Sequence, residues 1–167
     1  MKIYGIVGWK NSGKTGLVER LVTDLTGRGL SVSTLKHAHH HFEIDRRGKD
    51  SWRHREAGAR EVIIASRRRW VLISELRGQD EPPLPHLLSL LSPVDLVLIE
   101  GYKAEAHPKI ECHRQMTGQP LLAERDPSVR AIASDVALAD RTDKRVFRLD
   151  DTAGIAGFIL SETGLHP

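Results

Sequence analysis

Residues Gly8-Trp9-Lys10-Asn11-Ser12-Gly13-Lys14-Thr15 satisfy the spacing G-x-x-x-x-G-K-[ST] at every fixed position. That spacing suits a chain of phosphates. The glycines let the backbone wrap closely around phosphate oxygens. N–H groups from Asn11 to Thr15 can then point inward, and a following helix adds the partial positive charge of its N-terminus. Lys14 can reach β and γ phosphates, and the Thr15 hydroxyl can ligate Mg²⁺. Gly8, Asn11, Ser12, Gly13, Lys14 and Thr15 are therefore the candidate nucleotide contacts. The plainer alternative is a Gly-rich turn that only caps a helix. A buried strand before the loop and an amphipathic helix after it favour the phosphate site.

A magnesium nucleotide also needs an acid. Asp95-Leu96-Val97-Leu98-Ile99-Glu100-Gly101 is an apolar strand ending in a carboxylate and a glycine. Ligands of open α/β sheets sit at the carboxyl ends of strands. Glu100 is thus the expected metal ligand beside Thr15, and the Gly101 N–H is expected to meet a γ phosphate. Asp95, at the opposite end of the strand, reads as structural. A third run, Lys36-His37-Ala38-His39-His40-His41, holds four His in five residues. It reads either as a metal-binding loop or as a polar loop beside the nucleotide, because consecutive His lack the fixed spacing of a zinc site. Asp45 and Asp50 follow in a charge-dense stretch, and both are possible magnesium ligands, directly or through a neighbouring group, with a solvated loop as the plainer reading. Asp50 is taken as a further magnesium candidate, with a helix cap as its alternative.

The elements that must position these groups are legible from periodicity. Lys2–Val7 reads as a buried strand. Leu17, Leu21 and Leu25, flanked by Val18 and Val22, make one apolar stripe on a helix from Lys14 to about Arg28. Gly27 and Gly29 are its expected terminators. Further strands are expected at Ser31–Lys36, Glu61–Ser66, Arg69–Leu76, Asp95–Glu100, Lys109–His113, Val129–Ser134 and Arg145–Leu149. Helices are expected at Lys49–Ala57, Leu84–Leu91 and Asp151–Glu162, the last with an acidic cap. The alternation predicts an α/β fold of the P-loop NTPase kind: a mostly parallel sheet with helices on both faces. Glu61–Leu76 is too tightly spaced for a crossover helix and reads as an antiparallel hairpin.

The chain has 167 residues, suited to a single nucleotide-binding domain over 1–167. Its one cysteine, Cys112, excludes an intramolecular disulfide and fits a reducing cytoplasm. No apolar run approaches the ~20 residues of a membrane span, and the N-terminal apolar run is too short for a signal peptide. The net charge of +3 suits an anionic ligand without demanding nucleic acid. Aromatics at 5% show no interleaving with basic residues, so nucleic-acid binding is set aside.

Taken together, the motifs resemble the MobB family, the molybdopterin-guanine dinucleotide biosynthesis proteins B. The segments that carry the resemblance are GWKNSGKT at 8–15, KHAHHHFEIDRRGKDSWRHREAGA at 36–59, VIIASRRRW at 62–70, DLVLIEGYK at 95–103 and AIASD at 131–135. The phosphate loop alone is widespread. H-x-H-H, G-K-D-S and E-G-[FY]-K in this order are far more specific. The resemblance implies a dimeric GTP-binding protein with Mg²⁺ and weak GTP hydrolysis. It implies an adapter for the MobA-like molybdopterin guanylyltransferase that joins molybdopterin to GMP, with molybdopterin itself as a further ligand. It also places Ser134 and Asp135 near the base. Asp135 could accept from guanine N1 and N2, or could cap the next turn; the guanine-reading N-K-x-D is absent. Gly16 stands where the family usually has a second Thr, the His loop is one His longer, and the C-terminal third matches in outline only.

Two other readings compete. A nickel metallochaperone GTPase would use the His loop, but Cys112 lacks a cysteine partner. A small-molecule kinase would need lid arginines, and Arg67-Arg68-Arg69 reads instead as a hairpin tip. No water-activating Gln and no clear arginine finger stand in the matched positions, so slow turnover is expected.

Overall fold

The computed structural model describes residues 1–38, 42–138 and 141–166. The chain divides into two compact units, Met1–His37 with Leu91–Pro167, and Ala38–Leu90.

The first unit is a six-stranded sheet in which every neighbouring pair is parallel, in the order β2-β5-β1-β6-β7-β8. Its strands are β1 (Lys2–Gly8), β2 (Val32–Lys36), β5 (Leu96–Glu100), β6 (Lys109–His113), β7 (Val129–Ser134) and β8 (Arg145–Arg148). Helices α1 (Lys14–Gly27) and α4 (Thr152–Thr163) cover one face. Leu17, Leu21 and Leu25 of α1, and Ile155 and Ile159 of α4, pack on Tyr4, Ile6, Leu96, Leu98, Ile110 and Cys112. All of these are fully buried, so truncating any one of the α1 leucines to Ala should cost ~2–5 kcal/mol. The apolar stripe therefore fixes where α1 begins, and with it the phosphate loop. The helix ends as its glycines suggest. Gly29 takes φ +90, its N–H donates to Thr26, and the Leu30 N–H donates to Leu25, a Schellman closure. At the start of α4 the Asp151 carboxylate accepts from the Gly154 N–H, the expected acidic cap.

The opposite face of this sheet carries Leu121, Ile132 and Leu138 as a smaller apolar cluster. Two 3₁₀ turns, Gln115–Thr117 and Leu122–Glu124, lie in the connection from β6 to β7. The β5–β6 connection is only eight residues, 101–108, yet its strands run parallel on either side of β1. A stagger makes this possible: Gly5 of β1 pairs with Ile99, near the end of β5, and with Lys109, the first residue of β6. The connection folds back over Gly5, where an added Cβ would lie 2.6 Å from His107 Nε2.

The second unit contains α2 (Asp50–Glu56), the antiparallel hairpin β3 (Glu61–Ala65) and β4 (Trp70–Ser74), and α3 (Leu84–Ser89). The hairpin is the one expected from the sequence. Arg55 of α2 pairs with Glu75 at 2.7 Å and so ties the helix to the chain leaving β4.

Candidate phosphate and nucleoside site

Strand β1 leads straight into the phosphate loop. Gly8 (φ +145), Asn11 (φ +65) and Gly13 (φ +95) give the loop its sharp reversals. Gly8 is the tightest point: a Cβ there would lie 2.4 Å from the Cys112 carbonyl and 2.5 Å from Ser12 Oγ. Gly13 is the N-cap of α1. The Leu17 N–H reaches back to the Gly13 carbonyl, so the N–H groups of Lys14, Thr15 and Gly16 are the first-turn donors that a helix cannot pair internally. The buried Ser12 Oγ has no hydrogen-bond partner among the described residues. Lys14 Nζ donates to the Trp9 carbonyl at 2.8 Å, so the ammonium lies over the loop. Its burial lowers the lysine pKa, while Cys112 and Glu100 pull it back up.

On one side of β1, at the end of β5, the buried Glu100 accepts from Thr15 Oγ1 through Oε1 at 3.0 Å. Lys36, the last residue of β2, places Nζ 3.2 Å from the same Glu100 oxygen. The two expected metal ligands thus already converge, and a cation already stands beside them. A hydroxyl and a carboxylate are hard oxygen donors of the kind Mg²⁺ takes. The residues present fit a magnesium nucleotide. Asp50, the third expected ligand, is the first residue of α2 in the second unit.

Gly101 differs in detail from expectation. Its N–H donates to the Ile6 carbonyl at 3.0 Å and so belongs to the sheet. What the glycine supplies is room at φ +97, where a Cβ would lie 3.0 Å from the His37 Cβ. Tyr102 follows at φ +50, and its ring stacks on His37 at 4.5 Å. Asp95 is structural, as read: it accepts from the Ser31 N–H at 2.7 Å and the Ser31 hydroxyl at 2.6 Å.

On the other side of β1 a cavity of about 1080 Å³ opens beside the loop. Gly13, Gly16, Arg114, Ser134, Asp135 and Leu149 are among its walls. The structure thus brings Ser134 and Asp135 to the same cavity as the phosphate loop. One Asp135 oxygen accepts from the Gln115 N–H at 2.9 Å. The buried Ser134 hydroxyl accepts from the Val136 N–H at 3.1 Å and shapes the turn.

Several supporting groups lie outside the sequence-based candidates. Trp9 Nε1 donates to the Pro120 carbonyl, and Lys103 lies 4.3 Å over the Trp9 ring. The segment holding Pro120 is itself fixed by Glu111, which accepts from the Leu122 and Ala123 N–H groups. Burial raises the Glu111 pKa, and these two donors oppose the shift. Lys36 and Arg114 could have been found by the rule that found Glu100, since each stands at or just beyond the carboxyl end of a parallel strand. Among the described residues no three His, Cys, Asp or Glu gather as a metal site; His39, His40 and His41 lie outside them, and His37 lies within.

The pattern of the family described as MobB, molybdopterin guanine dinucleotide synthesis protein B, matches residues 3–135. The chain belongs to the MobB family. It is 40% identical over 170 residues to the molybdopterin-guanine dinucleotide biosynthesis adapter protein of Haemophilus influenzae, covering 98% of this chain and 89% of the relative. It is 37% identical over 161 residues to the adapter protein of Escherichia coli, covering 95% and 91%. Among solved structures, Bacillus subtilis MobB superposes with a TM-score of 0.77 at 27% identity, covering 98% of each chain. A MobB homolog from Bacillus stearothermophilus gives 0.75 at 27%, covering 98% and 99%. The α/β fold of a P-loop protein is thus that of the MobB family. Among the described residues no helix is long and apolar enough to cross a membrane.

Proposed function

We propose that the chain is a GTP- and Mg²⁺-binding adapter of molybdopterin-guanine dinucleotide biosynthesis, acting in the cytoplasm on a molybdopterin guanylyltransferase of the MobA type and its molybdopterin substrate. The observation that carries the nucleotide role is the Thr15–Glu100 pair on the flank of the glycine-bent loop, with the cavity on its other flank. In this reading the β and γ phosphates lie over the first-turn N–H groups of α1 with Lys14 against them. Thr15 and Glu100 hold the metal, and bound Mg²⁺ neutralises phosphate charge. The Lys36 ammonium, exposed and beside the same oxygens, gives way to it. The nucleoside fills the cavity. Asp135, with one oxygen on Gln115, uses its other to accept from guanine N1 and N2, donors that adenine lacks there.

The adapter role rests on the relatives named as adapters. Hydrolysis is slow in this account, because Thr15, Glu100 and Lys36 hold a metal and charge but none of them activates water. The chain is proposed to form a homodimer. The hairpin supports this by exposing Ile63, Leu72 and Trp70 on one face, the alternate positions of paired strands. The test is reconstitution. Purified molybdopterin guanylyltransferase is given molybdopterin, GTP and Mg²⁺, and guanine dinucleotide is measured with and without this protein. Wild-type chain should raise product formation and Lys14→Ala should not. Equal product in all three mixtures would overturn the adapter role.

A further inference from the structure

We propose, resting on the nucleotide-site reading above, that Arg114 clamps the phosphate chain at its nucleoside end, from the side of the loop opposite the metal pair. The topology sets this position. Gly8 of β1 pairs with Cys112 of β6, so Arg114 stands two residues beyond that level, past the end of β6 and alongside the loop. Glu100 ends β5, on the other side of β1. The guanidinium lies against Gly13: a Cβ there would be 3.3 Å from Nε and 3.5 Å from Nη2. Glycine at this position therefore serves two ends, a left-handed N-cap and the approach of a planar cation to the loop.

The guanidinium's bonding is incomplete. Arg114 Nε is buried and has no hydrogen-bond partner among the described residues, and Arg114 forms no ion pair among them. Its neighbours in the cavity wall differ. Arg20 donates to the Leu149 carbonyl and the Thr152 hydroxyl, and Arg148 is matched by Asp150 at 3.0 Å. A buried donor without an acceptor is unfavourable, because it has given up its hydrogen bond to water and gained none in return. A phosphate oxygen in the cavity beside Gly13 would satisfy it, with the bidentate geometry that arginine offers and lysine does not. Contact from this side strengthens binding and does not reach the metal or an attacking water.

The test uses the full chain in calorimetry, with GTP, GDP and guanosine as titrants, each with Mg²⁺ and with EDTA. Arg114→Gln should weaken GTP and GDP at least tenfold, equally with and without metal, and should leave guanosine unchanged. Arg114→Lys should lie between wild type and Arg114→Gln for GTP, and it carries the test if the glutamine variant does not fold. Unchanged GTP affinity, or a loss as large for guanosine as for GTP, would overturn the role; the latter would mean that Arg114 only shapes the cavity. Lys14→Ala separates the two levels. If it loses GTP while Arg114→Gln does not, only the Arg114 role fails. If neither variant changes GTP binding, the nucleotide site itself fails.

Discussion

Replacing Gly8 by Ala should damage the protein more than any other single methyl group added to the phosphate loop. The new Cβ would meet the Cys112 carbonyl at 2.4 Å and Ser12 Oγ at 2.5 Å. The hydroxyl can rotate away, but the carbonyl belongs to the central strand β6 and cannot. The backbone would also have to hold φ +145, a region almost closed to residues with a side chain. Such a conformation costs about 1–3 kcal/mol, and overpacking a tight site costs about 1–3 kcal/mol more. A total near 4 kcal/mol is a large share of the ~5–15 kcal/mol that keeps a domain folded. At ~2–4 °C per kcal/mol for a chain of this size, the melting temperature should fall by roughly 8–16 °C. Gly16→Ala is the matched control. Gly16 has no positive φ, and its Cβ would meet only the flexible Arg20 Nη1, at 3.5 Å. Ala in place of Gly in a helix gains up to about 1 kcal/mol, so this variant should melt slightly higher. Scanning calorimetry of both variants decides the matter. A Gly8→Ala protein that melts within 2 °C of wild type would refute the packing argument.

The metal pair makes a second prediction. Glu100→Gln and Thr15→Val should each weaken GTP at least tenfold in Mg²⁺ but far less in EDTA; equal losses in both buffers would remove the two residues from the metal. A third prediction concerns pH. His107 is buried over Gly5, and burial, followed by the Lys109 charge, holds its pKa below the ordinary histidine value, against Glu105 and Asp126. Burial and then Arg141 do the same to His113, against Asp135. Unfolded histidine takes up a proton near pH ~6.5, and the folded chain resists it. Stability should therefore be full above about pH 7 and decline as pH falls through 6.5. His107→Gln should flatten that decline in urea melts between pH 7.5 and 5.5, and an unaltered slope would show that His107 does not carry it.

Much of this was legible in the sequence because the controlling signals are local. The phosphate loop is contiguous, the α1 stripe repeats every four residues, and β5 is an unbroken apolar run ending in Glu100. Each strand end falls within two residues of expectation. Strand β6 shows where such reading stops. Lys109-Ile110-Glu111-Cys112-His113 alternates charge with apolar residues, the pattern of a strand with one face in water. Yet all five residues are buried. Lys109 Nζ is held by the Lys103 and Glu105 carbonyls and by Asp126, and Glu111 by the Leu122 and Ala123 N–H groups. These partners lie in loops and three-residue turns that have no periodicity to detect. Arg114 is a related case: the strand-end rule places it beyond β6, but that it flanks the phosphate loop depends on β6 lying next to β1, which is a property of the topology.

Calorimetry of the full chain against GTP and ATP at fixed Mg²⁺ decides whether this loop and its flanking cavity bind a guanine nucleotide. GTP should bind at one saturable site, ATP at least tenfold more weakly, and Lys14→Ala should lose at least tenfold in GTP affinity, ~1.4 kcal/mol. Absence of GTP binding, equal affinity for both nucleotides, or an unchanged dissociation constant in Lys14→Ala would contradict a guanine-nucleotide site here.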